Sequence, residues 1–207
     1  MADSSGERGT VRPGGRTARV RAQVLQVAGD VLAEHGFGQL DLADIARRAE
    51  VGKTTVYRRW GTVAGLVADL LVEMAEQSLP RAETGTLLGD LTANARLVRR
   101  TLADARMGPL FKSIIAAATC DERAARALNG FYEVRVAEWE PCVRQAIDRG
   151  EVPKGTDTHE VIRAVSAPLY YRLLLTDDSL DDTIADQAAA AAAIAARAGV
   201  YVRPRPS

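Results

Sequence analysis

Six side chains of related chemistry fall together in the stretch LDLADIARRAEVGKTTVYRRW, residues 40–60: Lys53, Thr54, Thr55, Tyr57, Arg58 and Arg59. Cations and hydroxyls crowded onto a short helical pattern suit a nucleic-acid surface. A lysine can pair with guanine acceptors and a threonine methyl can pack against thymine. Lys53, Thr54 and Thr55 fall in the first turn and are the expected base readers. Tyr57 and Arg58 sit one turn on, better placed for phosphates, which fix register without reading sequence. Free backbone N–H groups at the start of such a helix also favour a phosphate. Arg47 and Arg48 face outward from the preceding helical pattern, near where phosphates would run.

Those side chains need a frame. Asp41 is a plausible N-cap for a helix from Leu42 to about Ala49, Gly52 breaks the pattern, and a further helix covers about Lys53–Trp60. Leu42, Ile45, Ala46, Val51 and Val56 have the spacing to lock the two short helices, with Ala46 small where they approach. Upstream, Val20, Val24, Val27, Ala28, Val31 and Leu32 share one face of a helix that begins near Thr17 and stops at Gly36; Phe37 and Leu40 follow as core anchors. This is the layout of a helix-turn-helix whose second helix enters the major groove. On spacing alone, a three-helix core with a solvated basic face is the other reading.

The chain has 207 residues, 47% of them hydrophobic, enough to bury a core and too many for global disorder. Only 5% are aromatic, and long Pro-free stretches rich in Ala, Leu, Val and Arg separate the turn signals. The expectation is an all-α fold of about nine or ten helices without a strand. Net charge is zero, but residues 11–60 hold nine Lys/Arg against five Asp/Glu, whereas 61–207 hold seventeen against twenty. A basic end on a slightly acidic body fits nucleic-acid contact confined to that end.

Four segments are expected: a disordered basic arm over 1–15, the helix-turn-helix domain over 16–62, a ligand-binding and dimerisation domain over 63–202, and a loose tail over 203–207. Arg8, Arg12 and Arg16 either reach an adjacent minor groove or merely solubilise the arm. Thr62 can cap a helix from Val63 to about Leu79, and Leu87–Ala105 and Leu110–Ala118 read as helices. Thr119 with Glu122 forms a possible capping box for Asp121–Arg149, which Gly130 and Pro141 interrupt, Pro141 with an expected kink. Asp157 with Glu160 is another, opening a helix to about Leu175, and a last helix runs from about Asp182 to Ala198.

Cys120 and Cys142 have no metal-type spacing and read as buried thiols in a reducing compartment. No metal or other cofactor is expected. The N-terminus lacks an apolar signal region and no window is apolar enough to span a bilayer, so the expected location is cytoplasmic with no membrane contact. His35 and His159 are the only histidines, and neither has a visible partnership for catalysis, which argues against an enzyme.

The segment DLADIARRAEVGKTTVYRRW, preceded by Ala33-Glu34-His35-Gly36-Phe37, closely resembles the N-terminal domain of TetR/AcrR-type transcriptional regulators. The resemblance covers about residues 17–70 and runs through Gly36, Phe37, Ile45, Ala46, Ala49, Val51, Lys53, Thr55, Val56, Tyr57, Trp60 and Leu66. It implies an all-α homodimer that represses transcription from a palindromic double-stranded operator until a small molecule binds its C-terminal domain. The pattern departs at Gly52, where the family often has Ser; at Val63, where a Lys often contacts phosphate; and at Gly65, unusual inside a helix. The alternative is a helical small-molecule-binding or scaffolding protein with weak or vestigial DNA binding. Activation in place of repression stays open, because promoter geometry sets the sign.

A weaker resemblance to one subgroup runs through Ala146–Pro153, Thr156-Asp157 and Ala167–Leu174, and implies that the last turns of helix eight and helix nine pack against their two-fold mates as a four-helix bundle. Val161, Ile162, Val165, Leu169 and Leu173 form the expected dimer stripe, flanked by small Ala164, Ser166 and Ala167; ordinary intramolecular core is the other reading. Met74, Leu97, Phe111, Ile115, Tyr132, Trp139 and Tyr170 are large or adaptable residues on segments that could surround one cavity. Such walls, poor in His and acid clusters, point to an apolar or aromatic effector. Tilting of the helix that starts at Val63 would change the spacing of the two recognition helices.

Overall fold

The computed structural model describes residues 14–76 and 81–203. The described residues form nine α-helices and one 3-10 turn, with no strand. In order they are α1 (Gly14–His35), the turn Phe37–Gln39, α2 (Leu42–Arg48), α3 (Lys53–Trp60), α4 (Val63–Glu76), α5 (Leu87–Ala103), α6 (Met107–Ala118), α7 (Glu122–Asp148), α8 (Thr158–Leu175) and α9 (Asp182–Arg197). Most of the basic arm, the side chain of Arg16, the last turn expected of α4 at 77–79 and residues 204–207 lie outside the described residues.

Two apolar cores organise these helices. The first joins α1–α4 through Val24, Leu32, Ile45, Val56, Leu66 and Leu71, and takes in Leu110 and Ile114 of α6 and Leu128 of α7. The second joins α5 to α9 through residues such as Leu91, Phe111, Trp139, Val165 and Ala189. Met74, Met107 and Phe131 pack against both. The N-terminal domain is thus finished by helices of the C-terminal one, and α4 lies along the seam.

Local chemistry sets the helix starts. Asp41 caps α2 by accepting from the Ala43 and Asp44 amides at 2.9 and 2.8 Å, and the Thr62 hydroxyl accepts from the Gly65 amide at 3.1 Å to start α4. Asp157 caps α8, accepting from the His159 and Glu160 amides. The reciprocal half of that box is absent, since the Asp157 amide goes to the Tyr201 carbonyl and Glu160 pairs with Arg163. The expected Thr119–Glu122 box does not form. Asp121 caps α7, and Thr119 closes α6 by donating to the Ala116 carbonyl; the shorter acid two residues on has the better reach.

α7 runs unbroken through Gly130 and Pro141. Burial of Leu128, Val136, Trp139, Cys142 and Val143 along both cores outweighs the ~3 kcal/mol that an internal proline costs. Only one cysteine is buried: Cys142, whose thiol is pushed up to about 12 by burial, whereas Cys120 is exposed. Arg203, expected at the head of a loose tail, donates to Asp157 at 2.6 Å, and its amide bonds the Gly155 carbonyl.

The largest correction concerns α8. Val161, Ile162, Val165, Leu169 and Leu173 are all buried within the chain's own second core, against α5, α7 and α9. The stripe chosen for dimerisation has no surface left to offer. The opposite face of α8 carries Ala167, Pro168, Tyr171, Leu174 and Leu175, all exposed, and α9 adds exposed Ala191 and Ile194. None of the helices is long and apolar enough to cross a membrane, among the described residues.

Candidate nucleic-acid interface

The turn between α2 and α3 is closed by the Val51 amide bonding the Ala46 carbonyl at 2.9 Å. Ile45, Ala46, Ala49 and Val56 are fully buried beneath it. The left-handed residue of this turn is Glu50 at φ 53, not the glycine; Gly52 is extended at φ −59, ψ 131 and serves as N-cap of α3 without a side chain. That geometry leaves Lys53, Thr54, Tyr57 and Arg58 exposed on one side of α3 and Thr55 half-buried, while Val56 and Trp60 point inward. The structure therefore brings five of the sequence-chosen DNA residues onto one open face.

Arg47 and Arg59 are less free. Arg47 and Arg48 share the Asp44 carboxylate at 2.5 and 2.7 Å, and the Arg47 bond leads the causes that hold Asp44 below the usual carboxylate range. Arg59 lies over the Trp60 ring at 5.4 Å and 3.8 Å from Asp69. Arg16 sits in the first turn of α1.

A polar network that sequence reasoning missed holds the end of the recognition helix. Trp60 Nε1 donates to Asp69 Oδ2 at 2.8 Å. Arg21 of α1 donates to the same carboxylate from Nε and Nη2, at 3.1 and 2.8 Å, and reaches Glu73 at 2.7 Å. Burial alone would raise the Asp69 carboxyl; the bonds from Arg21 and Trp60, with the charges of Arg21 and Arg59, outweigh it and hold the group below its ordinary value. The readable signal was three charges at Asp69, Glu73 and Arg21 on otherwise apolar helix faces.

The two departures in α4 also find their reasons. A Cβ on Gly65 would lie 2.4 Å from the Trp60 carbonyl oxygen, so only glycine lets the first turn of α4 sit against the end of α3. Val63 packs against the first core. Beside Val63, exposed Arg123, at the start of α7, donates to the Thr62 hydroxyl at 3.4 Å.

Behind this interface lie two adjoining cavities. An outer one of about 470 Å³ opens between α1, α4, α5, α6 and α7, and includes Glu73, Met74, Leu97, Arg100, Arg106 and Phe111 in its walls. An inner one of about 90 Å³ is lined by Leu97, Phe111, Tyr132, Trp139 and Tyr170 among others. Leu97, Thr101, Phe111, Phe131 and Arg135 belong to both walls. Six of the seven sequence-chosen cavity residues therefore meet around one two-chambered space. Ile115 does not; it packs against the first core. Phe111, Phe131, Tyr132 and Tyr170 form a closed circuit of rings with centroids 5.4–6.4 Å apart. Burial pushes the Tyr170 phenol up to about 12 and the Tyr132 phenol further in the same direction, so both are neutral donors at physiological pH. Asn94, Arg100, Phe131 and Arg135 were missed, although Asn94 stands out as an amide within the apolar stripe of α5.

An exposed basic helix on a helix-turn-helix frame, joined to a helical body with an internal cavity, defines a DNA-binding transcriptional regulator with a sensory domain. The comparisons give the family. Residues 24–70 match the model for bacterial regulatory proteins of the tetR family, and residues 81–192 match a tetracyclin repressor-like C-terminal domain. The chain belongs to the TetR family of transcriptional regulators. It is 31% identical over 161 residues to the uncharacterized regulator YdeS of Bacillus subtilis, covering 77% of this chain and 81% of that protein. It is likewise 31% identical over 163 residues to the DNA-binding transcriptional repressor TetR of Mycobacteroides abscessus, covering 78% and 85%. Among solved structures, the TetR family regulator SCO0332 superposes with a TM-score of 0.67 at 28% identity, over 85% of this chain and 97% of that one. Regulators of this family bind operator DNA as homodimers and respond to small-molecule effectors.

Proposed function

We propose that this chain is a repressor that binds a palindromic operator as a homodimer and releases it when an effector fills the two-chambered cavity. In this reading Lys53, Thr54 and Thr55 read bases, Tyr57 and Arg58 bind phosphates, and Arg47 contributes a charge shared with Asp44. The observation that carries it is shared membership. Glu73 lines the outer cavity and is bonded to Arg21, which holds Asp69, which in turn holds Trp60 at the end of the recognition helix. Arg106 lines the same cavity and bonds Asp30 of α1 at 2.7 Å. A ligand that displaces these walls acts on α1 and α4 at once, and it lowers DNA affinity only if it binds better to the conformation that does not fit DNA.

Two-fold pairing is assigned to the outward faces of α8 and α9, where Tyr171, Leu175 and Ile194 are 60, 70 and 66% exposed. Large apolar side chains flanked by exposed alanines suit a self-complementary helix bundle. Such a dimer sets two recognition helices on half-sites about 34–36 Å apart. The test is a salt titration of binding to DNA from the gene's own promoter region, with and without ligand. Affinity that ignores salt would overturn the DNA-binding role. Tight ligand binding with unchanged DNA affinity would overturn the sensor role.

A further inference from the structure

Among the polar side chains of the inner chamber, the Asn94 carboxamide and the Trp139 indole N–H make no hydrogen bond among the described residues. The Thr101 hydroxyl donates to the Leu97 carbonyl at 3.1 Å, and the Ser166 hydroxyl donates to the Arg163 carbonyl at 3.2 Å. Tyr132 and Tyr170 face each other, ring centroids 5.5 Å apart and nearly perpendicular. Arg135 Nη1 lies 2.5 Å from Glu138. Asn94 is 3% exposed, forms part of the cavity wall, and its carboxamide makes no hydrogen bond among the described residues.

The outer chamber has the same character. Glu73 is held by Arg21 and Arg106 by Asp30, while the Asp104 carboxylate accepts from the Arg106 and Met107 amides. Arg100 is exposed at the mouth and forms no ion pair among the described residues. One buried carboxamide at the deep end and one guanidinium at the open end are thus uncommitted.

A buried polar group without a partner is costly to keep. Leucine would fill the same space without that cost, so the asparagine is explained by what it binds. We propose that the two chambers take one elongated organic acid. Its planar, uncharged aromatic head lies in the inner chamber, carrying a hydroxyl or carbonyl hydrogen-bonded to Asn94, and its carboxylate lies at the mouth on Arg100. The carboxamide both donates and accepts, which matches a hydroxyl or carbonyl. The ring circuit offers edges and faces to an aromatic guest. A guanidinium fork matches a carboxylate. Asn94 and Arg100 are six residues apart on α5, so the two recognition points are separated by ~9 Å along the helix axis.

This assignment rests on the cavity being the effector site, and it is tested without DNA so that the two ideas fail separately. Calorimetry on the full-length protein compares 6-hydroxy-2-naphthoate with 2-naphthoate, which lacks the hydroxyl, and 2-naphthol, which lacks the acid. The hydroxy acid is expected to bind ~10-fold or more tighter than either, the span of one well-made polar contact. Asn94→Leu should close the gap to 2-naphthoate, with a melting temperature unchanged or raised. Arg100→Gln, an exposed site, should close the gap to 2-naphthol. Equal affinities for the three, no acid binding at millimolar concentration, or an Asn94→Leu variant that melts several degrees lower would each overturn the proposal. Naphthoate binding as expected with unaltered DNA affinity would overturn the sensor role and leave the ligand assignment standing.

Discussion

Replacing Asp69 by alanine should loosen the recognition helix without touching a DNA contact. The Trp60 indole N–H has Asp69 as its acceptor at 2.8 Å, and Trp60 is only 8% exposed. Leaving that donor unsatisfied costs ~1–3 kcal/mol. Arg21 keeps Glu73 at 2.7 Å, and its side chain is 21% exposed, so losing Asp69 adds only ~0.5–1 kcal/mol after solvent screening. The sum, about 1.5–4 kcal/mol, converts to a fall in melting temperature of ~3–16 °C for a chain of this size, measured at fixed protomer concentration. Trp60→Phe removes the donor instead of the acceptor. The double variant should therefore be less destabilised than the two singles added together, by ~1–2 kcal/mol. Additive effects, or a fall of less than about 2 °C, would refute the network as the anchor of α3.

The same carboxylate gives a pH signature. Its folded-state value lies below its unfolded one, so its contribution is fully present above the unfolded value of ~3.9 and disappears as pH falls through the depressed folded value. The stability gap between the wild type and Asp69→Asn should hold from neutral pH down to about 5 and narrow below about 4. A gap that widens on acidification would reverse the assigned sign. On DNA, Asp69→Ala should weaken binding at every salt concentration with the slope unchanged, because no phosphate contact is lost.

Other perturbations separate the remaining roles. Arg58→Ala and Arg123→Ala should each lower the slope of log affinity against log salt by ~1, and an unchanged slope for Arg123 would mean that nothing replaces the family's lysine at Val63. Lys53→Ala should instead relax base preference, read on an operator library, at a cost of ~1–3 kcal/mol on the preferred sequence. Gly65→Ala should destabilise by ~1–3 kcal/mol despite alanine's better helix propensity, because its Cβ would meet the Trp60 carbonyl; a stabilised variant would contradict the close approach. Ile194→Asp should give a monomer in sedimentation, whereas Val165→Asp, in the interior, should abolish folding; a folded monomer from the second variant would restore the original stripe.

What was legible in the sequence followed its local rules. Helices α2 and α3, the cap at Asp41 and the exposed basic face of α3 rest on contacts within about twenty residues, where 3.6-residue periodicity and turn chemistry decide the outcome. Gly52 breaks the pattern where expected, yet the left-handed residue of the turn is Glu50 and Gly52 itself is extended. The cavity walls were legible as residue types, large and adaptable on several helices. Ile115 failed because it lies a full turn beyond Phe111 along α6, outside the cavity lining, and packs against the first core. The network at Asp69 spans α1, α3 and α4, with partners 48 residues apart, and no local pattern links them.

The error in α8 has a physical cause that also explains why its exposed face was overlooked. An apolar stripe says only that a face is buried, not against what. Val161, Ile162, Val165, Leu169 and Leu173 are the larger and more regular stripe because they fill a core between three other helices. A face proposed for dimerisation must stay soluble while the chain is unpaired, and the apolar residues on the exposed side are fewer and mixed with small ones: Ala167, Pro168, Tyr171 and Leu175 on α8, Ala191 and Ile194 on α9. Large apolar side chains left exposed are the signal that separates the two, and exposure is a property of the folded chain. A helix with one strong stripe and one diluted one therefore places its strong side inward. The diluted side is the one proposed for the second copy.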